Sequence, residues 1–207
     1  MSRLRPAGVL TLVDRDTELA LVERLRRGDT GAFDVVYDEY HARVFSFLAR
    51  LSRRRDVAED LAEETWLRLV SRCGHLRADT RFAPWLFTVA RNLYASYCRA
   101  RLLEDSHAAN LIGLWPAGAR PRSPFEETAA NEADRRLEVA LAELPATSRE
   151  VLILVGIEGL TPAEAAVVCG VGPEAMRQRL SRARAQLARR LDAIPANRPK
   201  QLQEALS

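Results

Sequence analysis

Cysteine is scarce in this chain of 207 residues, and the three present, Cys73, Cys98 and Cys169, form no CxxC pair and no metal-ligand spacing. That excludes a disulfide scaffold and a structural zinc module, and it fits a reducing, cytoplasmic compartment. The three histidines, His41, His75 and His107, have no carboxylate or cysteine at a catalytic or metal-binding spacing, and neither HExxH nor a glycine-rich phosphate loop occurs. No catalytic site, metal, cofactor or small-molecule substrate is therefore expected, and the chain does not read as an enzyme. The opening MSRLRPAGVLTLVDRD has too short an apolar run for a signal peptide, and no run reaches transmembrane length, so no membrane insertion is expected. Aromatic residues make up only 6%, and no stretch alternates β-branched with polar residues. With Ala, Leu, Arg and Glu dominant, the composition predicts an all-α protein. Lysine is almost absent as well: thirty of the 31 basic residues are arginine. This bias suits forked contacts to phosphate, but a GC-rich genome produces it equally.

What is present is most telling over residues 160–187, LTPAEAAVVCGVGPEAMRQRLSRARAQL. Thr161, Pro162 and Glu164 make a helix start with a capping box. Ala165 and Ala166 keep that helix slim, Gly170 supplies a turn, and Gly172-Pro173 begins a second helix. On this second helix Met176, Leu180, Ala183, Leu187 and Leu191 share one face. Glu174, Arg177, Gln178, Ser181 and Arg182 fall on the other, followed by Arg184. A capped helix, a tight turn and a helix with a cationic outer face form a helix-turn-helix that offers its second helix to a DNA major groove. Charge is sorted accordingly, with six Arg against one Glu over residues 173–191 and two Arg against six acids over residues 102–134.

Two helical blocks are predicted, at residues 17–103 and 132–191, with a linker over 104–131 and a tail over 192–207. The linker contains Pro116, Pro121, Pro124, Gly113 and Gly118 without a helical period, so flexibility is expected. Its Trp115 is accounted for equally by packing on one block or by docking on a partner. In the first block Phe33, Val36, Tyr37, Tyr40, Val44, Phe47, Leu48 and Leu51 mark a long core helix that ends at Arg53-Arg54-Arg55, with Asp56 expected to cap the next. That next helix turns Ala58, Leu61, Ala62, Thr65 and Leu69 inward and leaves Asp60, Glu63, Glu64 and Leu67 outside. Carboxylates mixed with a bare leucine suggest a docking surface for a basic partner. A third helix begins near Pro84 and carries Arg91, Asn92 and Arg99 on its outer side. Trp85, Phe87 and the loop 71–81 border it, a cationic and aromatic surface suited to single-stranded nucleic acid.

These segments resemble the extracytoplasmic-function group of the bacterial sigma-70 family. Residues 56–67, DVAEDLAEETWL, are similar to its DAEDLxQExF segment; residues 85–92, WLFTVARN, to its WLxxIARN segment; and residues 144–184 to its LPxxxRxVxxL…G…EIA…G…V…RL…RAR pattern. The likeness extends over residues 25–191, and residues 152–171 further resemble the alphaproteobacterial general-stress subgroup. It implies an RNA polymerase sigma factor. Region 2, the first block, would bind the β′ clamp helices through Asp60, Glu63, Glu64 and Leu67. It would capture melted −10 DNA through residues 71–82 with Trp85, Phe87, Arg91, Asn92 and Arg99. Region 4, the second block, would meet the −35 duplex through Arg177, Gln178, Ser181, Arg182 and Arg184, and would contact the β flap. Core polymerase, promoter DNA and an anti-sigma factor are the implied partners. The chain departs from the family pattern at Ser96, where Asp is usual, at Glu63, where Gln is frequent, and over residues 173–176, which bears on the promoter sequence read. Two other readings are a free-standing helix-turn-helix regulator, which would bind duplex DNA without polymerase, and a sigma-like decoy that only sequesters an anti-sigma factor.

Overall fold

The computed structural model describes residues 15–109 and 132–194, and every element among them is helical. Helix α1 (Arg15–Arg26) places Asp16 and Glu18 in its first turn and Arg24 and Arg26 in its last, matching the helix dipole at both ends. Helix α2 (Thr30–Ser52) starts at Asp29, whose carboxylate accepts from the Ala32 amide at 3.2 Å. It ends at Arg53 in the left-handed conformation, φ 59°. Helix α3 (Arg55–Arg72) has Arg54, not Asp56, at its cap position, and no side chain caps it. Asp56 lies one residue inside the first turn and pairs with the Arg54 guanidinium. The expected capping role is thereby corrected to a favourable dipole position.

Helix α4 (Phe82–Ala109) runs past residue 103 into the stretch expected to be linker. Its first turn is satisfied from a distance, for the Phe82 amide donates to Glu18 Oε1 of α1 at 2.8 Å. Inside the block, Val22, Val36, Val44, Phe47, Leu48, Leu69, Phe82, Leu86 and Phe87 are fully buried. Phe47 and Phe87 meet edge to face with centroids 5.3 Å apart, an arrangement worth about 1 kcal/mol beyond area alone.

The second block comprises α5 (Glu132–Ala142), α6 (Ala146–Leu152) continued by a π-turn (Ile153–Ile157), α7 (Pro162–Cys169) and α8 (Pro173–Ala193). Leu141, Val151, Ile153, Leu154, Ala165, Met176 and Ala183 form its interior. Arg136 of α5 donates to the Leu191 and Ile194 carbonyls at 2.9 and 3.0 Å and so closes the C-terminal end of α8. The two blocks are in contact, α7 lying along α4 and α6 touching α2. Trp115 and the linker residues 110–131 lie outside the described residues, as do tail residues 195–207.

Candidate nucleic-acid and polymerase interface

The helix-turn-helix is built from local rules. Thr161 Oγ1 accepts from the Glu164 amide at 3.2 Å, and Glu164 Oε2 accepts from the Thr161 amide at 2.9 Å, the two halves of a capping box. Gly170 takes φ 63°, a backbone state that a β-carbon would strain, and the Val171 amide closes the turn on the Ala166 carbonyl at 3.0 Å. Pro173 then starts α8 at its first position. Met176, Leu180 and Ala183 are buried against the block, whereas Arg177, Gln178, Ser181, Arg182 and Arg184 are all exposed.

Glu174 organises that outer face. Its carboxylate accepts from Arg177 Nε at 3.0 Å and from Gln178 Nε2 at 3.2 Å. The hydrogen bond from Arg177 is the main reason its carboxyl is held below the usual carboxylate range, with that from Gln178 second. Arg182 donates from Nε to the Gln178 carbonyl at 3.3 Å, lying along its own helix. Sequence periodicity placed Glu174 on this face but not its grip on two neighbours.

On α3, Asp60 and Glu63 are exposed, Glu64 is half-buried and paired with Arg68 at 2.7 Å, and Leu67 and Val70 are 64% and 58% exposed. Glu63, Leu67 and Val70 border a groove of about 550 Å³ between α2 and α3. Its floor is an aromatic row not singled out from the sequence as a site. Phe33 and Tyr37 stack at 5.9 Å, Tyr37 and His41 stack at 4.6 Å, and Trp66 tilts against Tyr37 at 4.9 Å. The signal was available, since residues 33, 37 and 41 recur every fourth position and so form one stripe. Trp66 is buried, and its Nε1–H has no acceptor among the described residues.

The α4 surface differs from expectation in one respect. Phe87 is fully buried against Phe47, so it borders no surface, and Trp85 is half-buried beside Phe82. Helix α4 packs on α2, α3 and α7 together, which widens its buried arc beyond one stripe. Asn92 and Arg99 are exposed, the latter donating to Ser96 Oγ at 2.9 Å. Arg91 is half-buried, its Nε 2.9 Å from Glu150 Oε1. Arg81, in the loop leading into α4, pairs with Glu164 at 2.6 Å. No group of three metal-ligating side chains lies together among the described residues, and no described helix is long and apolar enough to cross a membrane.

Comparison with known proteins agrees with this layout. Residues 36–102 match the model of sigma-70 region 2, and residues 134–187 match that of sigma-70 region 4. The chain is 33% identical over 161 residues to the RNA polymerase sigma factor CarQ of Myxococcus xanthus, covering 78% of this chain and 90% of that protein. It is 35% identical over 147 residues to the ECF RNA polymerase sigma factor EcfG of Rhodopseudomonas palustris, covering 69% and 76% respectively. Among solved structures, the sigma factor RpoE of Bartonella quintana, crystallised with the anti-sigma factor NepR, superposes with a TM-score of 0.63 at 25% identity. That match covers 79% of this chain and 98% of RpoE. CnrH, solved with the cytosolic domain of CnrY, shares the fold with a TM-score of 0.63 at 22% identity, over 86% of this chain and 99% of that one. The chain is thus a DNA-binding transcription initiation factor that belongs to the extracytoplasmic-function group of the sigma-70 family of RNA polymerase sigma factors.

Proposed function

We propose that the chain joins core RNA polymerase in the cytoplasm, directs it to promoters with a cognate −35 element, and stabilises the melted −10 strand. The α3 face of Asp60, Glu63, Glu64 and Leu67 docks on the β′ clamp helices. Val70 and the aromatic groove extend that surface. Arg177, Gln178, Ser181, Arg182 and Arg184 of α8 meet the −35 duplex, and the second block also contacts the β flap. Arg91, Asn92 and Arg99 of α4, with Trp85 and the loop 71–82, hold the non-template strand; Phe87 supports that surface from beneath. Aromatic stacking and arginine attraction there offset the unstacking of bases, about 1–3 kcal/mol for each base stacked.

One observation carries this reading: the same chain bears an exposed cationic recognition helix and, on the other block, exposed Leu67 and Val70 set among carboxylates over an aromatic groove. A free-standing regulator needs only the first, and a decoy only the second. The test is run-off transcription from a genomic library with core polymerase, with and without the chain, joined to a core-binding titration of Asp60→Arg with Leu67→Ala. Promoter-specific transcripts that depend on the chain, and a loss of core affinity well beyond twofold at unchanged helicity, are expected. Core affinity within about twofold of wild type overturns the α3 assignment. An anti-sigma factor that covers the α3 face is the proposed regulator. Co-purification of the chain with a protein that competes with core polymerase checks this, and activity set by expression level alone counts against it.

A further inference from the structure

Glu174 sits where a carboxylate is least expected. It lies in the first turn of α8, the part of a recognition helix that comes closest to base edges, and its side chain is 65% exposed. It also falls within residues 173–176, where the chain departs from the family pattern. A negative charge on a face that meets a polyanion lowers affinity for every sequence alike. An exposed ion pair along one helix returns little stability. What Glu174 contributes is therefore sought in its effect on its neighbours.

Residues 174, 177 and 178 are spaced three and four apart and so share one face. The Glu174 carboxylate engages both neighbours: Oε2 accepts from Arg177 Nε at 3.0 Å and also from its Nη2, and Oε1 accepts from Gln178 Nε2 at 3.2 Å. One turn on, Arg182 Nε is spent on the Gln178 carbonyl at 3.3 Å. A free glutamine amide can present either its oxygen or its nitrogen to a partner, because it turns about its last bond. With Nε2 tied to Glu174, that freedom is lost. What Gln178 still offers is the acceptor Oε1 and its second N–H. That pair matches the N6 amino donor and the N7 acceptor on the major-groove edge of adenine, whereas guanine presents two acceptors there and each pyrimidine a single polar group. We propose that Glu174 is a positioning residue for promoter recognition, which fixes the Gln178 amide as an adenine-reading fork and keeps Arg177 from turning to a phosphate. This rests on the proposed role of α8 in reading the −35 duplex.

The test uses polymerase holoenzyme assembled with the full chain and reads two quantities. One is base preference in a library randomised at the −35 element, and the other is the salt dependence of binding to a duplex that lacks a promoter. Wild type should prefer adenine about tenfold at a −35 position. Gln178→Ala should abolish that preference. Glu174→Asp keeps the charge at the helix start but is a methylene too short to hold both neighbours, and should cut the preference to about threefold or less, with other positions unchanged. Glu174→Ala should cut it equally, bind the promoter-free duplex about threefold more tightly, and steepen its salt slope by about one, as Arg177 turns to a phosphate. A role through charge or helix stability alone would spare the aspartate variant. Full adenine preference in both Glu174 variants, or a Gln178-dependent preference for another base, overturns the proposal. If Gln178→Ala itself leaves base preference unchanged, the base-reading role assigned to α8 fails, and the positioning role falls with it.

Discussion

Arg149 Nη1 donates to the carbonyl of Arg50 at 3.0 Å, linking residues 99 positions apart in the chain. The same guanidinium reaches the Leu51 carbonyl at 3.3 Å and, within its own block, the Leu141, Ala142 and Leu144 carbonyls at 3.1, 3.2 and 2.9 Å. The last carbonyls of α2 lack helical donors, and a cation there also suits the helix dipole. Arg149→Ala should therefore destabilise the chain by about 3 kcal/mol, by removing a buried guanidinium that serves carbonyls of both blocks at once. Arg149→Lys should recover less than half, since an ammonium cannot reproduce the planar fork. Urea unfolding followed by circular dichroism measures both, and a loss below about 1 kcal/mol for the alanine variant contradicts the role assigned to these bonds.

Burial raises the Glu158 carboxyl above the ordinary glutamate value, with the charge and hydrogen bond of Arg43 opposing the shift. The folded chain then holds the proton more tightly than the unfolded chain. This contribution to stability is present in full below the ordinary value and is lost as pH rises through the raised one. Glu23, Asp29, Asp56, Asp79 and Glu174 are all held low, chiefly by arginine hydrogen bonds, and titrate below that window with the opposite sign. Glu158→Gln should accordingly flatten the fall in stability just above the ordinary glutamate range and leave the acid limb unchanged. Denaturant midpoints measured across that range check it; parallel curves for the two proteins refute it.

Cys169 is buried at the end of α7, and burial first, then the neighbouring Glu150 charge, push its thiol up to about 12. Since the thiolate is the reactive species, iodoacetamide at neutral pH should modify the half-buried Cys73 and Cys98 well before Cys169. Peptide mass spectrometry of a labelling time course reads this directly. Equal labelling rates would show that α7 exposes this residue far more often than its packing implies.

On α8, Gln178→Ala should relax preference at one or two −35 positions, because a base-edge contact is worth about 1–3 kcal/mol of discrimination. Arg182→Ala should weaken all sequences alike and lower the salt slope by about one. A randomised −35 library selected with each variant distinguishes them. Unchanged base preference in the Gln178 variant means that the helix docks in another register.

The features legible in the sequence were those set within a few residues. The Thr161–Glu164 box, the Gly170 turn, the Pro173 start and the alternation of Met176, Leu180 and Ala183 with exposed arginines all follow from helix periodicity and capping. The Phe87 position was misjudged because a single 100° stripe predicts one buried face, whereas α4 is covered by α2 and α3 on one side and α7 on another. Asp56 was misjudged as a cap because α2 ends at the left-handed Arg53 and α3 starts directly after Arg54, two residues earlier than a cap at Asp56 requires. The Arg–Glu pairs joining the blocks were not legible at all. Arg43 and Glu158 are 115 residues apart, and with some sixty charged side chains in the chain, composition does not say which acid meets which base.

Glu164 divides its two oxygens between separate tasks: Oε2 receives the Thr161 amide and hydroxyl at 2.9 and 2.8 Å, while Oε1 faces Arg81 at 2.6 Å. Breaking the bond to Arg81 thus leaves the start of α7 fully satisfied. The start of the duplex-reading unit is therefore held by its own residues and needs nothing from the first block. Recognition by α8 would then begin from a turn already in order, with no helix start left to form on the DNA.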